Sequence, residues 1–205
     1  RETLIVEIRS DEGHAGLGFV YANIQSHGTS GDLLAQYIRR NLRSLLIGEN
    51  PLHTEALWRK LHGATWRQVR GRFGMMALSA VDLALWDLKG RIAGVPVCDL
   101  LGGRVREKIK VYNTCAGYSY VQTKATQGTH NFGLDAKKGQ YEDLDAFLNR
   151  ADELALSLLE MGIDAMKIWP LDYAAEASSG YRISHEDLKK GLEPFEKIRK
   201  AVGDR

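Results

Sequence analysis

A lysine near the end of a short apolar run is the most chemically suggestive residue in this sequence. Ile163-Asp164-Ala165-Met166-Lys167-Ile168-Trp169 has the β-branched and aromatic character of a strand. Side chains alternate along a strand, so Met166 and Ile168 share the face suited to packing under helices. Ala165, Lys167 and Trp169 share the other. An ammonium in that place can stabilise negative charge that develops on a bound group. The plainer readings are a surface lysine at a strand end and an aromatic that only packs.

Other polar candidates are scattered. Tyr21, Asn23 and His27 lie in or beside a loop that follows a strand-like stretch. Around residue 113 the same alternation offers two sets, Asn113 with Cys115 or Tyr112 with Thr114, and alternation alone does not choose between them. Asp82 and Asp87 fall inside a helix that is apolar on nearly every side, where a carboxylate must find a partner. Backbone or Lys/Arg pairing is the expected role for both. The six histidines show no metal-ligand spacing, and no phosphate-binding glycine loop, Ser-His-Asp arrangement or CxxC motif is present.

The elements that must position these groups fall into two patterns. Thr3–Arg9, a turn at Asp11-Glu12-Gly13 and His14–Tyr21 predict a β-hairpin. Helices follow from about Gly31 to Gly48, from about His53, and from Gly74 to Ile92, the last with the all-round apolar character of a buried helix. After Gly102-Gly103 the pattern changes. Ile109–Cys115 reads as a strand, a long glycine-containing loop follows, and Leu144 to Leu158 repeat at helical spacing up to a Gly162 C-cap. The Ile163–Trp169 strand comes next, then a loop and a helix from Ser184 to Val202. Strand, helix, strand, helix is the order of a parallel βα fold.

Composition narrows the function classes. The chain has 205 residues and a net charge of +2 with acidic and basic residues interspersed, so neither nucleic acid nor a membrane surface is an expected partner. No apolar run approaches the roughly 18 residues of a membrane span. Two cysteines, Cys98 and Cys115, suit a reducing compartment, and the cytoplasm is the expected location.

The stretch from Ala77 to Gly103, ALSAVDLALWDLKGRIAGVPVCDLLGG, carries a resemblance. Its Asp82, Ala84, Asp87, Gly90-Arg91, Pro96 and Leu100-Leu101-Gly102 resemble the signature of the mandelate racemase and muconate-lactonizing family of the enolase superfamily. The order of the surrounding elements fits the same family. The resemblance implies an α+β capping domain over residues 1-106, lacking its first strand, and the opening βα units of a modified TIM barrel over 107-205. Since barrel closure takes about eight strands, the chain is expected to be truncated.

The resemblance also implies a chemistry. A Mg²⁺ held by carboxylates on the third, fourth and fifth barrel strands binds a substrate carboxylate, and a base removes the adjacent proton to give an enediolate. No metal ligand is expected within this chain; the ligands belong beyond Arg205. The family pattern at the second strand is Lys-x-Lys. Lys167 matches the first lysine, which helps neutralise the substrate carboxylate, and is the expected catalytic residue. Trp169 stands in place of the second and cannot act as a base. Loss of one of two opposed bases favours dehydration of an acid sugar over racemisation, with the base, a His–Asp dyad, on a later strand. Tyr21, Asn23, Asn113 and Trp169 are the expected substrate contacts. A racemase, epimerase or cycloisomerase is the alternative within the superfamily, and a non-catalytic capping-domain assembly protein the alternative outside it. The expected partners are a small carboxylate substrate and further copies of the same chain in a homo-oligomer.

Overall fold

The computed structural model describes residues 2–22, 29–69, 71–117, 120, 129, 134 and 142–204. The chain divides into two compact units, Arg1–Glu107 and Lys108–Arg205.

The first unit opens with an antiparallel hairpin of β1 (Glu2–Arg9) and β2 (Ala15–Ala22), registered from Glu2 opposite Ala22 to Arg9 opposite Ala15. Leu4, Val6 and Ile8 turn to the core, while Ile5, Leu17, Phe19 and Tyr21 stand exposed on the other face. Helices α1 (Thr29–Tyr37) and α2 (Arg43–Leu46) are joined by a π-helical turn at Ile38–Leu42. Then come α3 (Thr54–Val69), α4 (Arg72–Ala93) and the single turn α5 (Val97–Leu100). Helix α4 is the spine of the unit: Ala77, Leu78, Val81 and Leu85 join Leu34, Leu42, Leu57 and Leu61 in one core.

The small residues of the Ala77–Gly103 stretch have a packing reason. A Cβ on Gly16 or Gly18 would land on backbone atoms of α4 at Ala84 and Ala80. The hairpin therefore lies directly on the helix, and only glycine on one side against alanine on the other allows that approach. Gly94, with φ 67°, closes α4, its N–H bonding back to Arg91 and Gly90 as left-handed C-caps do.

The second unit contains α6 (Asp143–Asn149), α7 (Ala151–Glu160), α8 (Asp172–Ala177) and α9 (His185–Val202). Its core gathers Cys115, Leu144, Ala146, Phe147, Leu154 and Leu158, with Met166, Ile168 and Trp169 packed against it. Three expectations change here. The strands at 109–115 and 163–169 pair through a single parallel bridge, Asn113 with Met166. Past the bridge Cys115 takes a left-handed conformation, φ 53°, and a turn begins at Pro170. The one helix predicted across Leu144–Leu158 is broken at Arg150, φ −137° and ψ 49°, where the Asn149 amide donates back to the Asp145 carbonyl at 3.2 Å and competes with the helical ladder. The stretch after Pro170, expected as a loop, holds α8. At the start of α9 the Ser184 hydroxyl oxygen accepts the Asp187 N–H at 3.0 Å, a side-chain N-cap.

Candidate functional site

The bridge between Asn113 and Met166 decides which side chains share a face. The Asn113 N–H donates to the Ala165 carbonyl at 3.0 Å and the Lys167 N–H donates to the Asn113 carbonyl at 2.8 Å. In a parallel ladder the two bridged residues point their side chains to the same face. Asn113 therefore lies with Met166, on the face packed beneath α6 and α7. The flanking residues Tyr112 and Thr114 lie with Lys167 on the opposite face, and all three are exposed. The alternation that left two sets open is thus resolved: Tyr112 and Thr114 are the face-mates of Lys167.

Asn113 is committed to the helix layer. Its amide Nδ2 donates to Asp143 Oδ2 at 2.9 Å, and its Oδ1 accepts the Cys115 N–H at 2.7 Å. The second bond is an Asx-type turn that holds Cys115 in its left-handed conformation. Cys115 is fully buried, and burial, with the Asp143 carboxylate adding to it, pushes the thiol up to about 11 despite the opposing Lys167 backbone N–H. Asn113, an expected substrate contact, ties the strand segment to the first turn of α6. A hollow of about 510 Å³ runs beside it, lined by Tyr112, Thr114, Gly117, Glu142 and Asp143 among others.

Lys167 carries its ammonium 5.5 Å from the centroid of the Trp169 ring, within cation–π range. Trp169 does not simply share the open face that alternation assigned to it. Its indole meets the Phe147 ring edge-on at 5.3 Å and Tyr120 at 5.9 Å, and it packs against the helix-side core. The chain turns at Pro170 immediately after it, and that turn breaks the alternation. One indole therefore touches the core and the lysine together.

In the first unit Tyr21 stands on the exposed face of the hairpin, opposite Thr3, and the residue is 48% exposed. Asn23 and His27 lie outside the described residues. Asp87 behaves as a structural carboxylate: its Oδ2 accepts the Leu17 N–H and the Arg91 Nε–H, each at 2.8 Å. Burial raises its carboxyl, but those bonds and the guanidinium charge outweigh it and leave it below the usual carboxylate range. Asp82 differs from expectation. It is half-buried without a basic or backbone partner among the described residues, and burial followed by the nearby Glu55 charge pushes its carboxyl up.

Among the described residues no group of three or more His, Cys, Asp or Glu side chains could hold a metal ion. The donor set of the described residues does not fit a hard divalent cation, which draws on about six oxygen ligands. Among them, too, no helix is long and apolar enough to cross a membrane.

The description "Mandelate racemase / muconate lactonizing enzyme, N-terminal domain" matches residues 1–102. That span covers the hairpin, its glycine contacts with α4 and the Asp87 bond to β2. The chain belongs to the mandelate racemase and muconate-lactonizing enzyme family. The family match lies in the capping domain. A D-mannonate dehydratase of Sphingomonas is 40% identical over 124 residues, 60% of this chain and 29% of that protein. An enolase of the mandelate racemase subgroup from Agrobacterium tumefaciens superposes with TM-score 0.68 at 36% identity, covering 99% of this chain and 44% of that one. A racemase from Streptomyces coelicolor, solved with bound magnesium, superposes with TM-score 0.65 at 25% identity, covering 98% and 47%. The chain spans less than half the length of each of these family relatives.

Proposed function

We propose that this chain forms the capping domain and first barrel units of an enzyme that removes the proton α to a carboxylate and then expels a β-hydroxyl from an acid sugar. The observation that carries the reading is the Lys167 ammonium, exposed on the same face as Tyr112 and Thr114 and seated against Trp169. An α-proton beside a carboxylate resists removal because the product carries a second negative charge on the same oxygens. A fixed ammonium beside those oxygens lowers that barrier more than it favours ground-state binding. Lys167 binds and neutralises the carboxylate; Tyr112 and Thr114 offer hydroxyls on the same face to orient the sugar.

Trp169 has no lone pair to accept a proton, so this strand supplies one cation and no second base. A single base elsewhere in the protein suffices to take the α-proton, and an acid then protonates the departing hydroxyl. That asymmetry, and the D-mannonate dehydratase relative, support dehydration over racemisation. The magnesium bound by the racemase relative supports a Mg²⁺ cofactor, held by residues outside these 205.

The test is a panel of aldonic and aldaric acids incubated with the complete enzyme in D₂O. Formation of a 2-keto-3-deoxy acid with solvent deuterium at C3 supports dehydration. Deuterium at C2 with the hydroxyls intact indicates a racemase or epimerase instead. No exchange and no product from any acid sugar would favour the non-catalytic assembly role.

A further inference from the structure

The Trp169 indole is held from behind and used from the front. Phe147, fully buried, meets it edge-on at 5.3 Å with an interplanar angle of 62°, and Tyr120 leans on it at 5.9 Å. Those contacts hold the ring in place, since edge-to-face packing is a favoured arrangement of aromatic rings in a core. Against that fixed ring lies the Lys167 ammonium, 5.5 Å from the centroid. Lys167 is otherwise exposed, at the end of a flexible four-carbon stem that can place its charge in many positions.

We propose that Trp169 is a positioning residue: its ring face holds the Lys167 ammonium where the substrate carboxylate must arrive. The proposal rests on the reading of Lys167 as the substrate-facing cation. The negative face of an aromatic ring attracts a cation, and tryptophan does so most strongly. A transition-state electrostatic contact is useful only if the charge is already in place, since a side chain that must be ordered at the moment of reaction loses that advantage. The indole orders the ammonium in advance, and Phe147 and Tyr120 order the indole. Burial of Trp169 alone would give a packing residue; burial of one part and a cation on its face gives a bracket.

The experiment uses the complete enzyme with tryptophan at position 169 replaced by a series of increasingly fluorinated tryptophans. Fluorination drains the ring face of negative charge while leaving shape and packing nearly unchanged. The expected result is a stepwise fall in kcat/KM, carried by kcat, reaching about five- to thirtyfold at full fluorination, with unchanged thermal unfolding. Trp169→Leu falls at least as far, and Trp169→Phe recovers part of the loss. A second readout needs no turnover: the side-chain methylene protons of Lys167 show a ring-current shift that vanishes in Trp169→Leu. A flat fluorination series in an enzyme that Lys167→Met inactivates overturns the bracket and leaves the role of Lys167 intact. Normal turnover by Lys167→Met removes that role instead. Absence of the ring-current shift overturns the bracket in either case.

Discussion

The side-chain amide of Asn113 donates to the Asp143 carboxylate at 2.9 Å, joining the segment that pairs with Lys167 to the first turn of α6. The same amide's oxygen accepts the Cys115 N–H. One side chain thus sets the height of the helix, the end of the strand segment and, through its own backbone, the register of Lys167. Asp143 has the better place of the two for a charge, since a carboxylate in a helix's first turn is favoured there. Asn113→Ala and Asp143→Ala are each expected to lower stability by about 1–2 kcal/mol, with a coupling energy of about 1 kcal/mol in the double-mutant cycle. Chemical denaturation of the four proteins measures it, and strict additivity would show that the bond contributes nothing.

The two cysteines should react very differently. Cys115 is fully buried with its thiol pushed up to about 11, whereas Cys98 is half-exposed. Since the thiolate is the reactive form, one thiol per chain should be alkylated in the folded protein at pH 8 and the second only in denaturant. Mass spectrometry after a pulse of iodoacetamide identifies the modified residue; rapid labelling of Cys115 would contradict its placement.

The two aspartates of α4 predict opposite pH effects. Asp87 is depressed in the folded state, so its contribution is present above the unfolded carboxylate range and is lost as pH falls through its folded value. Asp87→Asn is expected to cost about 1–2 kcal/mol at pH 7, the loss shrinking in acid. Asp82 is raised, so its carboxylate favours folding only at low pH and opposes it once ionised. Asp82→Asn should therefore raise the Tm at pH 7, with the gain fading as pH falls through the raised folded value and absent below the unfolded carboxylate range of about 4. Thermal unfolding of both variants across pH 3–8 checks the signs.

What the residues disclosed in advance follows from how local each signal is. The hairpin, the buried α4 and the alternation of extended and helical segments in the second unit rest on periodicity and on Gly and Pro placement, which neighbouring residues determine. Asp87 was readable as structural because a carboxylate on an all-apolar helix needs a partner. Asp82 was not, since its environment depends on Glu55 arriving from another helix. The break at Arg150 comes from an Asn149 side chain competing for a carbonyl inside a sequence whose apolar spacing is uninterrupted. The face of Asn113 needed the bridge to Met166. The double contact of Trp169 needed Phe147 and Tyr120, far from it in the chain; no spacing rule reports such meetings. Gly117, at φ 65°, sits in the left-handed region that favours glycine, and a Cβ there would meet the Glu142 carboxylate.

The central claim is that the Lys167 ammonium stabilises the charge formed as the α-proton leaves. Lys167→Met keeps the stem volume and removes the charge. Its effect on the complete enzyme, turning over the acid sugar identified by the panel, is the most direct measurement. The expected result is a fall in kcat of about a hundredfold or more, the loss of one transition-state electrostatic contact, with KM changed less and thermal unfolding unchanged. Turnover within a few-fold of the parent enzyme would contradict the account.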